Sequence, residues 1–262
     1  MRRGAIFWGL IIIIVGVLFL LETLGVITIN VWGLILPALV IALGAWILWG
    51  TLARRSVKTE HVNVPLEGAA QARLRILHGA GRLEVNAGAG VGDLLVGDCG
   101  GGAELSSRRV GDTLEVSLSA PYRIFSFGWW PEDRANWKLN LAQGIPLALS
   151  FDTGAADTRI DLSHLIVNQL RFNSGASSTQ LTFPANVGQT MAEFKAGAAS
   201  LELRIPPGVA ARIHTSGGLS SITVDKNRFP RSGNVYQSAD YDSAINRVDI
   251  RVDMGVGSVN IH

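Results

Sequence analysis

The chain has 262 residues, with 23 Lys and Arg against 21 Asp and Glu and a net charge of +2. That balance excludes a basic nucleic-acid binder, because four arginines and one acid in residues 1–55 supply the whole excess and no basic stripe follows. A single cysteine, Cys99, excludes any intramolecular disulfide.

In chain order, the first predicted elements are two apolar segments at 5–21 and 31–52, flanked by Arg2-Arg3 and Arg54-Arg55 and separated by ETLGVITIN. The first, of 17 residues, just reaches across a hydrocarbon layer, and the second is longer and carries Pro37. Trp8, Trp32, Trp46 and Trp49 fall near the segment ends, where aromatics meet headgroups. The expectation is a two-helix transmembrane hairpin over residues 1–55, with both basic flanks in the cytoplasm. A cleaved signal peptide fits less well, since no small-residue cleavage site follows Leu21 and a second apolar run comes almost at once.

Residues 56–262 read as all β, and about 206 residues suffice for one sizeable core. Runs such as Arg73-Leu74-Arg75-Ile76-Leu77, Leu201-Glu202-Leu203-Arg204-Ile205 and Arg247-Val248-Asp249-Ile250-Arg251-Val252 alternate with period two, burying one face. Glycine-plus-small turns recur ahead of such runs at Gly79, Gly154, Gly175, Gly197, Gly217 and Gly255, and those from Gly154 to Gly217 are 21, 22 and 20 residues apart. A unit this short cannot bury its own apolar face, so coils must stack, with small residues where backbones approach. Pro184 and Pro206 close successive repeats. The predicted fold is a β-solenoid (β-helix or β-roll), with a β-sandwich as the alternative. Nearly two coils, or one coil plus an insertion over 225–243, are expected between Gly217 and Gly255.

Catalytic chemistry finds little footing in these residues. The glycine stretches at 88–92 and 97–102 have neither a Gly-Lys-Ser/Thr ending nor G-x-G-x-x-G spacing, and they read as turns. His61, His78, His164, His214 and His262 show no ligand spacing, so no metal or other cofactor is assigned. No serine sits in a G-x-S-x-G elbow, and Cys99 lacks an adjacent base. A polysaccharide-cleaving enzyme needs paired carboxylates, for which Asp157, Asp161, Glu202 and Asp225 would have to converge across coils. The expectation is a protein that is not an enzyme.

One segment, 122–137, breaks the repeat with six aromatics in 16 residues. It reads either as a loop capping the core or as a recognition loop, in which Phe125, Phe127, Trp129, Trp130 and Trp137 would contact a partner.

Phe7-Trp8-Gly9-Leu10, Gly16-Val17-Leu18-Phe19-Leu20-Leu21 and Val31-Trp32-Gly33-Leu34-Ile35-Leu36-Pro37 resemble the transmembrane region of LiaI/LiaF-type bacterial envelope-stress proteins over about 50 residues. The remainder, with Gly-small turns and Ile205-Pro206-Pro207-Gly208-Val209, is similar to toastrack and adhesin-like β-repeat domains. The resemblance implies a membrane-bound, non-enzymatic regulator in which the protein restrains a sensor kinase until wall damage is sensed. The aromatic insertion and the single hairpin depart from that family. The resulting expectation is a multi-pass protein of the bacterial inner membrane with a cytoplasmic β domain. It would act on a membrane sensor kinase or another envelope protein, not on nucleic acid, and self-association is allowed for. The alternative is an extracytoplasmic adhesin-like or cell-wall-binding structural protein.

Overall fold

The computed structural model describes residues 59–121 and 136–262, apart from Val187 and Asn234, together with Pro37, Val40, Ile41, Gly44 and Ala45. Thirteen strands in one mixed sheet make up the described β domain: β1 (Thr59–Pro65), β2 (Gln71–Ala87), β3 (Asp93–Gly100), β4 (Glu104–Val110), β5 (Thr113–Ser119), β6 (Asn136–Leu141), β7 (Pro146–Asp161), β8 (Ile166–Thr182), β9 (Gln189–Arg204), β10 (Ala210–Val224), β11 (Arg231–Ser232), β12 (Val235–Gln237) and β13 (Arg247–Ile261).

Six of these strands are long and parallel, and each bends at a glycine. The sequence dictates the bend through a slip in the period-two pattern. In β9, Thr190, Ala192, Phe194 and Ala196 are buried, then Gly197 and Ala198 are both exposed, and burial resumes on the opposite parity at Ala199, Leu201 and Leu203. Two consecutive outward residues are what a pleated strand shows when it turns a corner and keeps its apolar side inward. Each coil is therefore two legs joined at a glycine corner, closed by a turn such as Leu162 to Leu165. Leu162 N donates to Thr182 O at 3.0 Å and Phe183 N to Arg204 O at 2.9 Å, so each turn stacks on the next. Like residues form rows inside: Phe151, Phe172 and Phe194 are in register, with ring centroids 6.2 and 6.0 Å apart. These spacings suit tilted aromatic pairs within a close-packed core.

Parallel stacking of coils bears out the all-β repeat reading of this part and sets aside the sandwich. The order of coils does not follow the chain. It runs β2-β7-β8-β9-β13-β10, because β13 inserts between β9 and β10 and is hydrogen-bonded along its length to both. The segment between Gly217 and Gly255 thus holds no extra coil. It carries the short β11–β12 hairpin, which covers only Arg212–His214 of β10. At the other end, β2 is capped by β5 with β4 along its first leg and by β6, β3 and β1 along its second.

The expected two-helix hairpin is corrected. Among the described residues no helix is long and apolar enough to cross a membrane, which takes about 20 consecutive apolar residues. Pro37, Val40, Ile41, Gly44 and Ala45 are helical but far too few, and the rest of the segments 5–21 and 31–52 lies outside the described residues. The membrane-anchored fold class, the multi-pass inner-membrane placement and the cytoplasmic side assigned to the β domain fall with it.

Candidate functional site

The glycine corner fixes the geometry of a wide recess in the β domain. Gly79, Gly154, Gly175, Gly197, Gly255 and Gly218 form a ladder in which each backbone lies against the carbonyl of the glycine before it. A Cβ at Gly175, Gly197, Gly255 or Gly218 would sit 3.1, 2.9, 2.7 or 3.0 Å from that oxygen, and one at Gly154 would collide with the oxygen of Gly79. The last member is Gly218, one residue beyond the glycine expected from the repeat, because Gly217 pairs with Met254. Removing side chains along a whole edge leaves a trough, and Ser119 at the end of β5, Ala120 and Pro121 after it, and Trp137 of β6 line it on one side.

The result is a cleft of about 950 Å³ over the corner. Leu77, Ala80, Ala120, Pro121 and Trp137 give it an apolar floor. One rim is a register row, Asp152, Asn173, Lys195 and Asp253, from four adjacent coils. Asn173 Nδ2 donates to Asp152 Oδ1 at 2.8 Å, and Arg75 Nε donates to Asp152 Oδ2 at 2.9 Å, which fixes that end of the row. Lys195 is held 2.8 Å from Glu193, whose carboxyl is lowered from its ordinary value chiefly by that hydrogen bond. The rim therefore reads acid, amide, base, acid on a backbone that cannot shift.

Of the expected recognition residues, Phe125, Phe127, Trp129 and Trp130 lie outside the described residues. Trp137 is buried in β6, donates from Nε1 to Gly100 O at 3.3 Å, and meets His78 edge-on at 5.1 Å. It builds the floor of the cleft and does not project from a loop. The cleft is not legible in the sequence, since its rim comes from residues about 20 to 60 positions apart that only the stacking order aligns; their shared place two residues before each corner glycine is the available signal.

The carboxylates weighed for catalysis are engaged locally. Asp157 pairs with Arg82 at 3.3 Å, and Asp161 and Asp225 each accept from the backbone N–H two residues on, at 3.0 Å, as acids in turns do. Glu202 faces His262 at 3.9 Å. Among the described residues no group of three or more His, Cys, Asp or Glu is placed to hold a metal ion. Burial pushes the Cys99 thiol up to about 12, with Glu60 and Asp98 adding to the shift, so it is protonated and a poor nucleophile at neutral pH. Folded chain is expected to leave Cys99 unlabelled by a maleimide at mildly alkaline pH, and denatured chain to label at once. Rapid labelling of the folded chain in a mass-spectrometric time course would contradict the burial.

A family model described as the N-terminal domain of toast_rack, DUF2154, matches residues 53–204. The crystal structure of a "putative cell adhesion protein" from Clostridium sporogenes ATCC 15579 is similar with a TM-score of 0.72 at 21% identity, covering 79% of this chain and 99% of that one. That of a "putative adhesin" from Bacteroides fragilis NCTC 9343 has a TM-score of 0.28 at 9% identity, covering 78% and 97%. No curated protein matches the chain. The family match ends at Arg204, the last residue of β9, so the two coils β13 and β10 stack on it from outside the matched region.

Proposed function

This chain belongs to the toast_rack N-terminal domain family, and on that premise we propose that it is a non-enzymatic, adhesin-like binding protein whose corner cleft holds a segment of a partner protein. The observation that carries the reading is the cleft: an apolar floor with a rim of acid, amide, base and acid on a solenoid frame. Such a recess gains affinity from buried apolar area and orientation from the rim. The fold is shared with a protein that its own name connects to cell adhesion, which supports binding over catalysis. In the finer reading drawn from the LiaF resemblance, the bound segment belongs to an envelope-stress sensor kinase.

The test compares the full chain with the double variant Asn173→Arg, Asp253→Arg in binding to intact bacterial cells. Both positions are exposed, so the fold should survive. Binding is expected to fall about ten-fold or more, the scale of a central contact, and to vanish on protease-shaved cells. Undiminished binding by the double variant would exclude the cleft, and binding that survives shaving would assign the ligand to wall polymer.

A further inference from the structure

Among the described residues four strand edges of the sheet are open, and three are blunted as natural edges are. The edge of β1 carries Glu60, His61 and Pro65, that of β4 carries Glu104, Arg108 and Arg109, and β11 is two residues long. The fourth is the second leg of β10. On its inner side it is bonded to β13, but β12 reaches only Arg212–His214, so Ser216–Val224 has no strand partner on its outer side among the described residues. That strip, SGGLSSITV, holds no charge and no proline.

The core is unfinished at the same place. Thr158, Thr179, Leu201 and Val259 form one inward row, all essentially buried, and Ile222 is its last member. Ile222 alone in the row is only partly buried. An unprotected edge and a bared core residue on the same leg mark a surface that expects another strand.

We propose that this strand is the same leg of a second copy of the chain, the two β10 legs running antiparallel about a twofold axis at Ser221 or Ile222. An isologous contact closes both open edges at once and leaves no end to propagate. The strip can meet itself without repulsion, because Asp225, the first charge beyond it, falls opposite Gly217 or Leu219 in either register. Pairing also places each Ile222 next to its counterpart across the axis, so the inward row becomes continuous from one copy to the other. The contact is independent of the corner cleft and of what the cleft binds.

A cysteine cross-link reads the geometry directly. In the full chain, Ser221→Cys places thiols of the two copies within the reach of adjacent antiparallel positions. Ser178→Cys lies in the same outward row three strands inward and serves as control. The native Cys99 is buried, so wild type gives the background. With a short bis-maleimide, S221C is expected to give about ten-fold more covalent dimer than S178C, and adding Ile222→Lys to S221C should abolish that excess, a penalty of about 1.4 kcal/mol or more. Far-UV circular dichroism confirms that I222K retains its β fold. Equal cross-linking of S221C and S178C, or an excess that survives I222K, overturns the proposal.

Discussion

Gly154→Val is expected to prevent the β domain from folding, and Gly154→Ala to lower its stability by roughly 3 kcal/mol, the upper end of what overpacking costs. Gly154 stands between β2 and β8 at the corner, and any Cβ there is driven into the carbonyl oxygen of Gly79. That oxygen belongs to the backbone of β2, which is paired with β7 on either side of the corner, at Ala72–His78 and Ala80–Val85, so it cannot swing away as a side-chain tip would. Gly175, where the same oxygen-to-Cβ approach is 3.1 Å, should tolerate alanine with a smaller loss. Gly68 and Gly111 meet nothing within 4 Å; there, alanine would suffer only the strain of φ +69° and +60°. Urea unfolding followed by circular dichroism would rank the set. A Gly154→Ala variant as stable as wild type would mean that the corner ladder is looser than the backbone positions allow.

The same residues show which parts of the fold are legible from sequence. Period two and the recurrent Gly-small turns are local properties, set by which side of one strand faces the core, and they identify the repeat. The phase slip at Gly197-Ala198 is likewise visible in the order of apolar residues. Stacking order is not, because parallel strands exchange similar hydrogen bonds with any neighbour of the same shape. Nothing in Arg247–Ile261 announces that it lies between β9 and β10. Adjacent glycines hide register in the same way: Gly217 and Gly218 are equivalent in composition, and only pairing with Met254 and Gly255 separates them. Gly97 reads from the sequence, with its neighbours, as a turn, yet it lies inside β3, where a Cβ would strike Lys138 O and Leu139 of β6. A close approach between distant strands and a turn draw on the same residue for different reasons. The aromatic insertion stands out by composition, which carries no sign that its last member, Trp137, is a buried strand residue.

Removing the last strand, by ending the chain at Asn246, is expected to cause the largest loss of all, although it deletes only 16 residues. In a solenoid built in chain order, the final coil could fray with little effect on the others. Here β13 is an interior coil, and its loss removes both the partner of β9 and the partner of β10 along their full length. It also takes out Val248, Ile250, Val252, Met254, Val259 and Ile261, all buried, each from a different inward row. β10 would keep only three pairs to β12 and would have to cross a gap of one strand to reach β9. Burying one such side chain stabilises by about 1.5–3 kcal/mol, so six together are worth about 9–18 kcal/mol, as much as the 5–15 kcal/mol by which a whole domain is usually stable. A single Ile250→Ala should already cost about 2–5 kcal/mol. Hydrogen exchange gives the sharper reading, since β10 and β13 must open together if they are one cooperative layer. Protection of β10 amides that survives Ile250→Ala, while those of β13 are lost, would show that the two coils are held independently.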